Sequence, residues 1–301
     1  MDTKILAILP FDHRSSFTKN MLGIHDRPPT DAEIEKIKEE KEIIYEAFKK
    51  AVSEGVPKDE AAILVDEEFG SQILQNAKNE GYRTILTTEK SGQSEFDFEY
   101  GEEEFNHIRK YNPDYAKALI RYNPEGDKIL NQKQAEKLKS LTDFCHQNGF
   151  KFLLEPLVIP TEEEIKNSSQ EEFDKNLRPS LTLRMMEELQ NGGVEPDIWK
   201  IEGMELMQDY EKAVQQAQIN GRENVGIVVL GRGEEEAHVI HWIKTGAQVK
   251  GVVGFAVGRT VFWDPLVYYT SGQIEKEEAI ERININYQKF YNIFINARGQ
   301  K

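Results

Sequence analysis

The sequence predicts a (β/α)8 TIM barrel spanning residues 1–301 as a single domain, and three observations carry that expectation. Short, β-branched apolar runs alternate from end to end with longer stretches of helical period, and the runs number eight. No internal linker interrupts this rhythm. Polar residues gather at the C-terminal ends of the runs, the face on which barrels carry their chemistry. A doubly wound open sheet is the competing arrangement, but no glycine-rich dinucleotide fingerprint follows the first run.

The eight candidate strands are "KILAILPFD" (4–12), "AAILVDEEFG" (61–70), "YRTILTTEKSG" (82–92), "YAKALIRYN" (115–123), "FKFLLEPLVIP" (150–160), "DIWKIEG" (197–203), "NVGIVVLGRG" (224–233) and "VKGVVGFAVGRT" (249–260). Helical patterns lie between and after them at 30–55, 71–81, 102–112, 131–149, 178–193, 206–221, 234–247 and 276–297, and several stop at Gly or Asn-Gly. Two irregular inserts, 14–29 and 161–176, follow strands one and five; on a barrel they sit at the catalytic face, as lids or as solvated loops.

The totals bound the function. A net charge of -15 argues against nucleic-acid and anionic-membrane partners, while a small phosphorylated ligand remains compatible with it. Cys145 is the single cysteine, so an intrachain disulfide is excluded. With 30% charged residues, no signal-peptide pattern and no apolar run of membrane-spanning length, the chain reads as a cytoplasmic protein, with homo-oligomerisation left open.

The strand ends supply the candidate residues: Asp12, His13 and Arg14 after strand one; Asp66, Glu67 and Glu68 after two; Glu89, Lys90 and Ser91 after three. Lys117 and Arg121 lie in strand four, Glu155 in five, Lys200 and Glu202 in six. Side chains alternate across a strand, so Lys200 and Glu202 share a face. Trp199 and Ile201 suit the helix layer, which sends the lysine and glutamate inward. Burial favours the neutral form of an amine, and a neutral amine can attack a ketone to form a Schiff base. The bland alternative is an ion pair with Glu202 or Glu155 that merely fills the barrel.

Lys117 and Lys90 compete for the same role, Lys90 fitting an exposed strand end equally well. Glu155, between apolar residues and before a proline expected to end the run, is the general acid/base candidate, its pKa expected to rise on burial. "VLGRG" and "AVGRT" place Gly231, Arg232, Gly258 and Arg259 after strands seven and eight, where backbone N–H groups and a guanidinium suit a phosphate. Only His13 of the six histidines falls at a strand end, so no histidine cluster for zinc is expected; Asp12, Asp66, Glu67 and Glu202 could instead hold Mg²⁺ through water.

"ILVDEEFG", "EKSGQ", "LIRYNPEGD", "FLLEPLV", "EPDIWKIEG", "VVLGRG" and "GFAVGRTVFWD" resemble the aldolase-like domain fused to 5-dehydro-2-deoxygluconokinase in bacterial inositol catabolism, a 2-deoxy-5-keto-gluconate 6-phosphate aldolase type. The resemblance covers nearly the whole chain, here without the kinase. More distantly the chain is similar to the class I tagatose-bisphosphate aldolases, barrels with a Schiff-base lysine in a "KVE" context on strand six. That resemblance implies a lyase needing no cofactor: Lys200 forms the imine, Glu155 moves protons, Lys117 tunes charge and Asp66 or Glu67 orients hydroxyls. Asp12, Lys90, Arg121 and Glu202 would line the substrate, and Gly231, Arg232, Gly258 and Arg259 its phosphate. The implied reaction yields dihydroxyacetone phosphate and malonate semialdehyde; a tagatose- or fructose-bisphosphate aldolase and a non-catalytic sugar-phosphate-binding barrel are the alternatives. Gly203 follows "KIE" where those aldolases carry a valine and proline, so their substrate preference is not implied.

Overall fold

The computed structural model describes residues 5–299; Lys4 of the expected first strand and both ends of the expected domain, 1–4 and 300–301, lie outside them. Eight parallel strands pair in sequence order and close: β1 (Leu6–Pro10), β2 (Ala61–Val65), β3 (Arg83–Thr87), β4 (Tyr115–Tyr122), β5 (Lys151–Val158), β6 (Ile198–Glu202), β7 (Gly226–Leu230) and β8 (Val252–Ala256). The open doubly wound sheet is thereby excluded. Most strands are shorter than the apolar runs, because the polar C-terminal ends of those runs leave the ladder as βα loops.

Alternation builds two cores. Leu6, Ile8, Ala62, Leu64, Ile85, Tyr115, Leu153, Ile198, Val228, Val253 and Ala256 fill the barrel interior. The intervening residues, Trp199 and Ile201 among them, pack under the helices.

The outer layer comprises α1 (Asp31–Ser53), α2 (Glu67–Asn79), α3 (Glu104–Tyr111), α4 (Lys128–Gln147), the short α5 (Glu162–Asn167) and α6 (Gln170–Glu172), α7 (Arg178–Asn191), α8 (Met207–Gln218), α9 (Glu236–Ala247), α10 (Arg259–Thr270) and α11 (Lys276–Arg298). A capping box at Thr30, with Glu33 at the third position, starts α1. Asp66 caps α2 through the Phe69 N–H at 2.8 Å, so the helix begins four residues before the expected 71.

Four other expectations change. The insert 161–176 is not irregular: α5, α6 and a π-helical turn, Phe173–Leu177, occupy most of it. Within 14–29, Ser16–Met21 forms a further π-helical turn. Strand eight is followed directly by α10, whose aromatic-rich stretch with Pro265 inside hides a helical period; α11 then packs against α1, α9 and α10. Pro156 does not end β5 either, since pairing with β4 continues to Val158. Among the described residues no helix is long and apolar enough to cross a membrane.

Candidate active site

Two residues beyond the interior core, the same parity places a polar layer on the inward face. Tyr115 is followed by Lys117, Leu153 by Glu155, Ile198 by Lys200 and Ile85 by Thr87. Continued past the strand ends, it reaches Asp12 after β1 and Glu89 after β3. Asp12, Glu89, Lys117, Glu155 and Lys200 floor a cavity of about 310 Å³ at the C-terminal face of the barrel.

Their contacts form one network. Lys200 Nζ lies 2.7 Å from Glu155 Oε2, and Lys117 Nζ lies 3.1 Å from the same oxygen. Lys117 also reaches Asp12 Oδ2 at 2.9 Å and Glu89 Oε1 at 2.5 Å. Thr87 donates its hydroxyl to Asp12 Oδ2 at 2.8 Å. All are nearly or wholly withdrawn from solvent; Lys117 is 1% and Lys200 4% exposed.

Electrostatics divides the carboxylates. Burial would raise each, but Lys117, with His13 and Lys200, pulls Asp12 far below its ordinary value. Glu155 is likewise lowered, because Lys117 and Lys200 outweigh burial; the expected rise toward neutrality does not occur. Glu89 goes the other way: burial and the neighbouring Asp12 raise it despite Lys117 and Arg14. Lys117 is raised: three carboxylates overcome the burial that disfavours its charge. Burial, with Arg259 and Lys200 nearby, lowers His13 to about 4, leaving a neutral imidazole whose Nδ1 has no hydrogen-bond partner.

The two glycine-arginine loops border the cavity. Gly231, Arg232 and Gly233 line it after β7; Gly258, Arg259 and Thr260 line it where α10 begins. Only glycine fits at 258, because a Cβ there would stand 2.3 Å from the Pro10 carbonyl oxygen. Arg259 Nη2 donates to the Arg232 carbonyl at 2.9 Å. Arg232 is braced by Asp174 at 2.9 Å and Glu202 at 3.1 Å.

Several expected site residues point elsewhere. Asp66 is buried against the ammonium of Lys41 while capping α2, and it does not line the cavity. Glu67 turns outward to His107 Nδ1 at 2.6 Å, Lys110 at 3.0 Å and the Tyr111 hydroxyl at 3.0 Å. Glu202 accepts from the Val158 N–H at 3.0 Å and braces Arg232, so it neither pairs with Lys200 nor lines the cavity. Asp12, Asp66, Glu67 and Glu202 therefore do not converge as Mg²⁺ ligands; among the described residues no group of three or more His, Cys, Asp or Glu side chains is arranged to hold a metal. Lys90 borders the cavity but pairs with Asp97 at 3.0 Å, and Arg121 borders it while donating to the Gln93 carbonyl at 2.5 Å.

Glu89 and Arg14 stand among the strand-end candidates without an assigned role, and Arg178 is the residue the sequence reading passes over. Glu89 was signalled by the Ile85–Thr87–Glu89 alternation running past the strand end. Arg14, buried, bridges Glu99 at 2.5 Å and the Glu89 carbonyl. Arg178, on α7, donates to the Gly203 carbonyl at 3.0 Å, a contact with no local sequence signal.

A closed barrel whose floor joins two lysines through one glutamate, beneath two glycine-arginine loops, defines a (β/α)8 barrel with a buried amine-carboxylate centre. The chain belongs to the family described as "Uncharacterized protein conserved in bacteria (DUF2090)", which it matches over residues 1–298. It is 24% identical over 204 residues to tagatose 1,6-diphosphate aldolase 1 of Streptococcus mutans, the match covering 66% of this chain and 58% of that protein. Among solved structures, fructose-bisphosphate aldolase from Plasmodium falciparum superposes with a TM-score of 0.64 at 11% identity, covering 98% of this chain and 92% of that one. A Schiff-base-forming fructose-1,6-bisphosphate aldolase gives 0.57 at 14% identity, covering 95% and 94%. These likenesses concern the barrel itself; the chain spans under two thirds of the curated relative's length.

Proposed function

We propose that this protein is a class I aldolase acting on a phosphorylated keto sugar or keto sugar acid, with Lys200 as the imine-forming residue. The observation that carries this reading is the Lys200–Glu155–Lys117 chain on the cavity floor, with both ammonium groups on one carboxylate oxygen. Lys200 passes its ammonium proton to Glu155 and attacks the ketone as the free amine, water leaves, and the cationic imine accepts the electrons of the breaking carbon–carbon bond. Glu155, 2.7 Å from Lys200, is placed to carry the proton to the departing hydroxyl, and Lys117 tunes its charge. The naming of the S. mutans relative as an aldolase of a sugar bisphosphate supports the reaction class.

Phosphate would sit against Arg232, Arg259 and the backbone N–H groups of Gly231 and Gly258, at the start of α10. Asp12 and Arg121 would face the remaining hydroxyls. The first substrate to try is 2-deoxy-5-keto-gluconate 6-phosphate, cleaved to dihydroxyacetone phosphate and malonate semialdehyde, on the resemblance to the kinase-fused domain of inositol catabolism; a cytoplasmic single-domain enzyme, alone or as a homo-oligomer, fits that setting. Tagatose and fructose bisphosphates are the next substrates to test.

Borohydride reduction in the presence of dihydroxyacetone phosphate or these ketoses, read by mass spectrometry, tests the assignment. A covalent adduct on Lys200, lost in Lys200→Ala, is expected. Binding without any adduct would instead leave a sugar-phosphate-binding barrel with a structural ion pair.

A further inference from the structure

Schiff-base cleavage needs two distinct proton movements: one at the nitrogen-bearing carbon while the imine forms and breaks, and one at the hydroxyl of the carbon that leaves as the aldehyde. Glu155 is tied to Lys200 and serves the first. The second position has its own candidate on the opposite side of Lys117.

Glu89 stands there. It follows β3, lines the cavity and is 6% exposed. Its Oε1 touches Lys117 Nζ at 2.5 Å, whereas its Oε2 is buried with no hydrogen-bond partner. A buried carboxylate oxygen without a donor is costly, and such a group calls for an explanation. Its backbone is held in place: its carbonyl accepts from Arg14, and the 88–99 loop folds back through Lys90 N–H to the Asp97 carbonyl at 3.0 Å and Glu99 N–H to the Thr88 carbonyl at 2.9 Å.

We propose that Glu89 is a second catalytic acid/base, which takes the proton of the substrate's β-hydroxyl as the carbon–carbon bond breaks; this rests on the imine reading of Lys200. In that step the hydroxyl proton passes to Glu89 Oε2. The O–H electron pair becomes the second bond of the aldehyde carbonyl, and the electrons of the broken carbon–carbon bond move onto the imine, neutralising its nitrogen as an enamine. The enamine carbon then takes up a proton from solvent, matched by the one Glu89 returns to solvent, and hydrolysis of the regenerated imine by one water frees Lys200. Nothing is oxidised or reduced overall.

The charges around Glu89 suit this division. It is faced by Lys117 from β4, by Asp12 and Arg14 from the loop after β1, by Glu104 from α3 and, across Lys117, by Glu155 from β5. Their balance leaves Glu89 raised and Glu155 lowered, and two carboxyl groups pushed apart in this way can hold different protonation states in one site. Asp12, pulled far down, is too weak a base to compete.

The test compares wild type with Glu89→Gln and Glu89→Asp in two assays: borohydride trapping of dihydroxyacetone phosphate, which needs no β-hydroxyl, and cleavage of whichever of the three ketose phosphates named above the wild type turns over. Glu89→Gln is expected to keep trapping within about threefold while cleavage falls by roughly 10²–10⁴-fold. The acid limb of the wild-type pH–rate profile, where Glu89 takes up its proton, is expected to vanish in Glu89→Gln and to return, shifted, in Glu89→Asp. Cleavage within a few-fold of wild type with an unchanged profile overturns the proposal, as does loss of trapping together with cleavage in both variants. Absence of any adduct on the wild type overturns the Lys200 reading and this one with it, a result distinct from either.

Discussion

Lys41 is completely buried on α1, its ammonium donating to the Phe11 carbonyl at 2.8 Å and to Asp66, with the rings of Phe17 and Phe69 5.2 and 5.6 Å away. Burial lowers its pKa against the pull of Asp66. Removing one partner of such a pair leaves a charge stranded in a low-dielectric interior. Lys41→Met is therefore expected to lose about 3–5 kcal/mol in urea unfolding. Asp66→Asn on that background should recover part of the loss, since asparagine still caps α2. A loss below about 1 kcal/mol for the single variant would refute the structural role assigned to this pair.

At the scale of elements, β6 and its loop explain the glycine that follows "KIE". A Cβ on Gly203 would stand 2.1 Å from Trp242 Cδ2, so α9 lays its indole directly on the loop backbone. From α7, Arg178 donates to the Gly203 carbonyl, and its guanidinium lies 5.9 Å from the Trp242 ring. Two helices thus seat the loop after the strand that carries Lys200, and a side chain at 203 has no room. Gly203→Ala should cost about 1–3 kcal/mol by overpacking. Adding Trp242→Leu should relieve it, giving a double variant more stable than the sum of the singles; thermal unfolding checks this, and strict additivity would count against the contact.

The whole molecule carries a net charge of -15 and also buries acids outside the cavity. Both carboxylate oxygens of Glu40 are buried without a partner, and burial pushes the group up to about 7 from 4.5. Burial likewise pushes Glu104 up to about 8. Because these folded-state values are raised, their contribution is fully present below pH 4.5, and is lost as pH climbs through 7 and 8, where the folded chain binds more protons than the unfolded one. Asp12 and Glu155, being lowered, act oppositely: their contribution is present above the ordinary carboxylate range and is lost in acid. Glu40→Met is expected to stabilise the protein more at pH 8 than at pH 5, measured by urea midpoints at each pH; an equal shift at both would rule out the titration.

Much of the fold and the centre of the site follow from local pattern. Eight apolar runs separated by helical periods specify a parallel barrel, and a side-chain period of two puts Lys117, Glu155 and Lys200 on one inward layer, because strand geometry holds wherever the ladder continues. Beyond the last ladder hydrogen bond that period stops dictating direction. There Asp66 turns to a lysine 25 residues earlier and Glu67 to a histidine 40 residues later, while Glu202, the last residue of β6, turns to Arg232. The sign of each carboxyl's shift is decided in the same way, since burial alone raises Glu155 and Glu89 alike. Only the folded barrel, by setting two lysines against Glu155 and one lysine with an aspartate against Glu89, drives them in opposite directions.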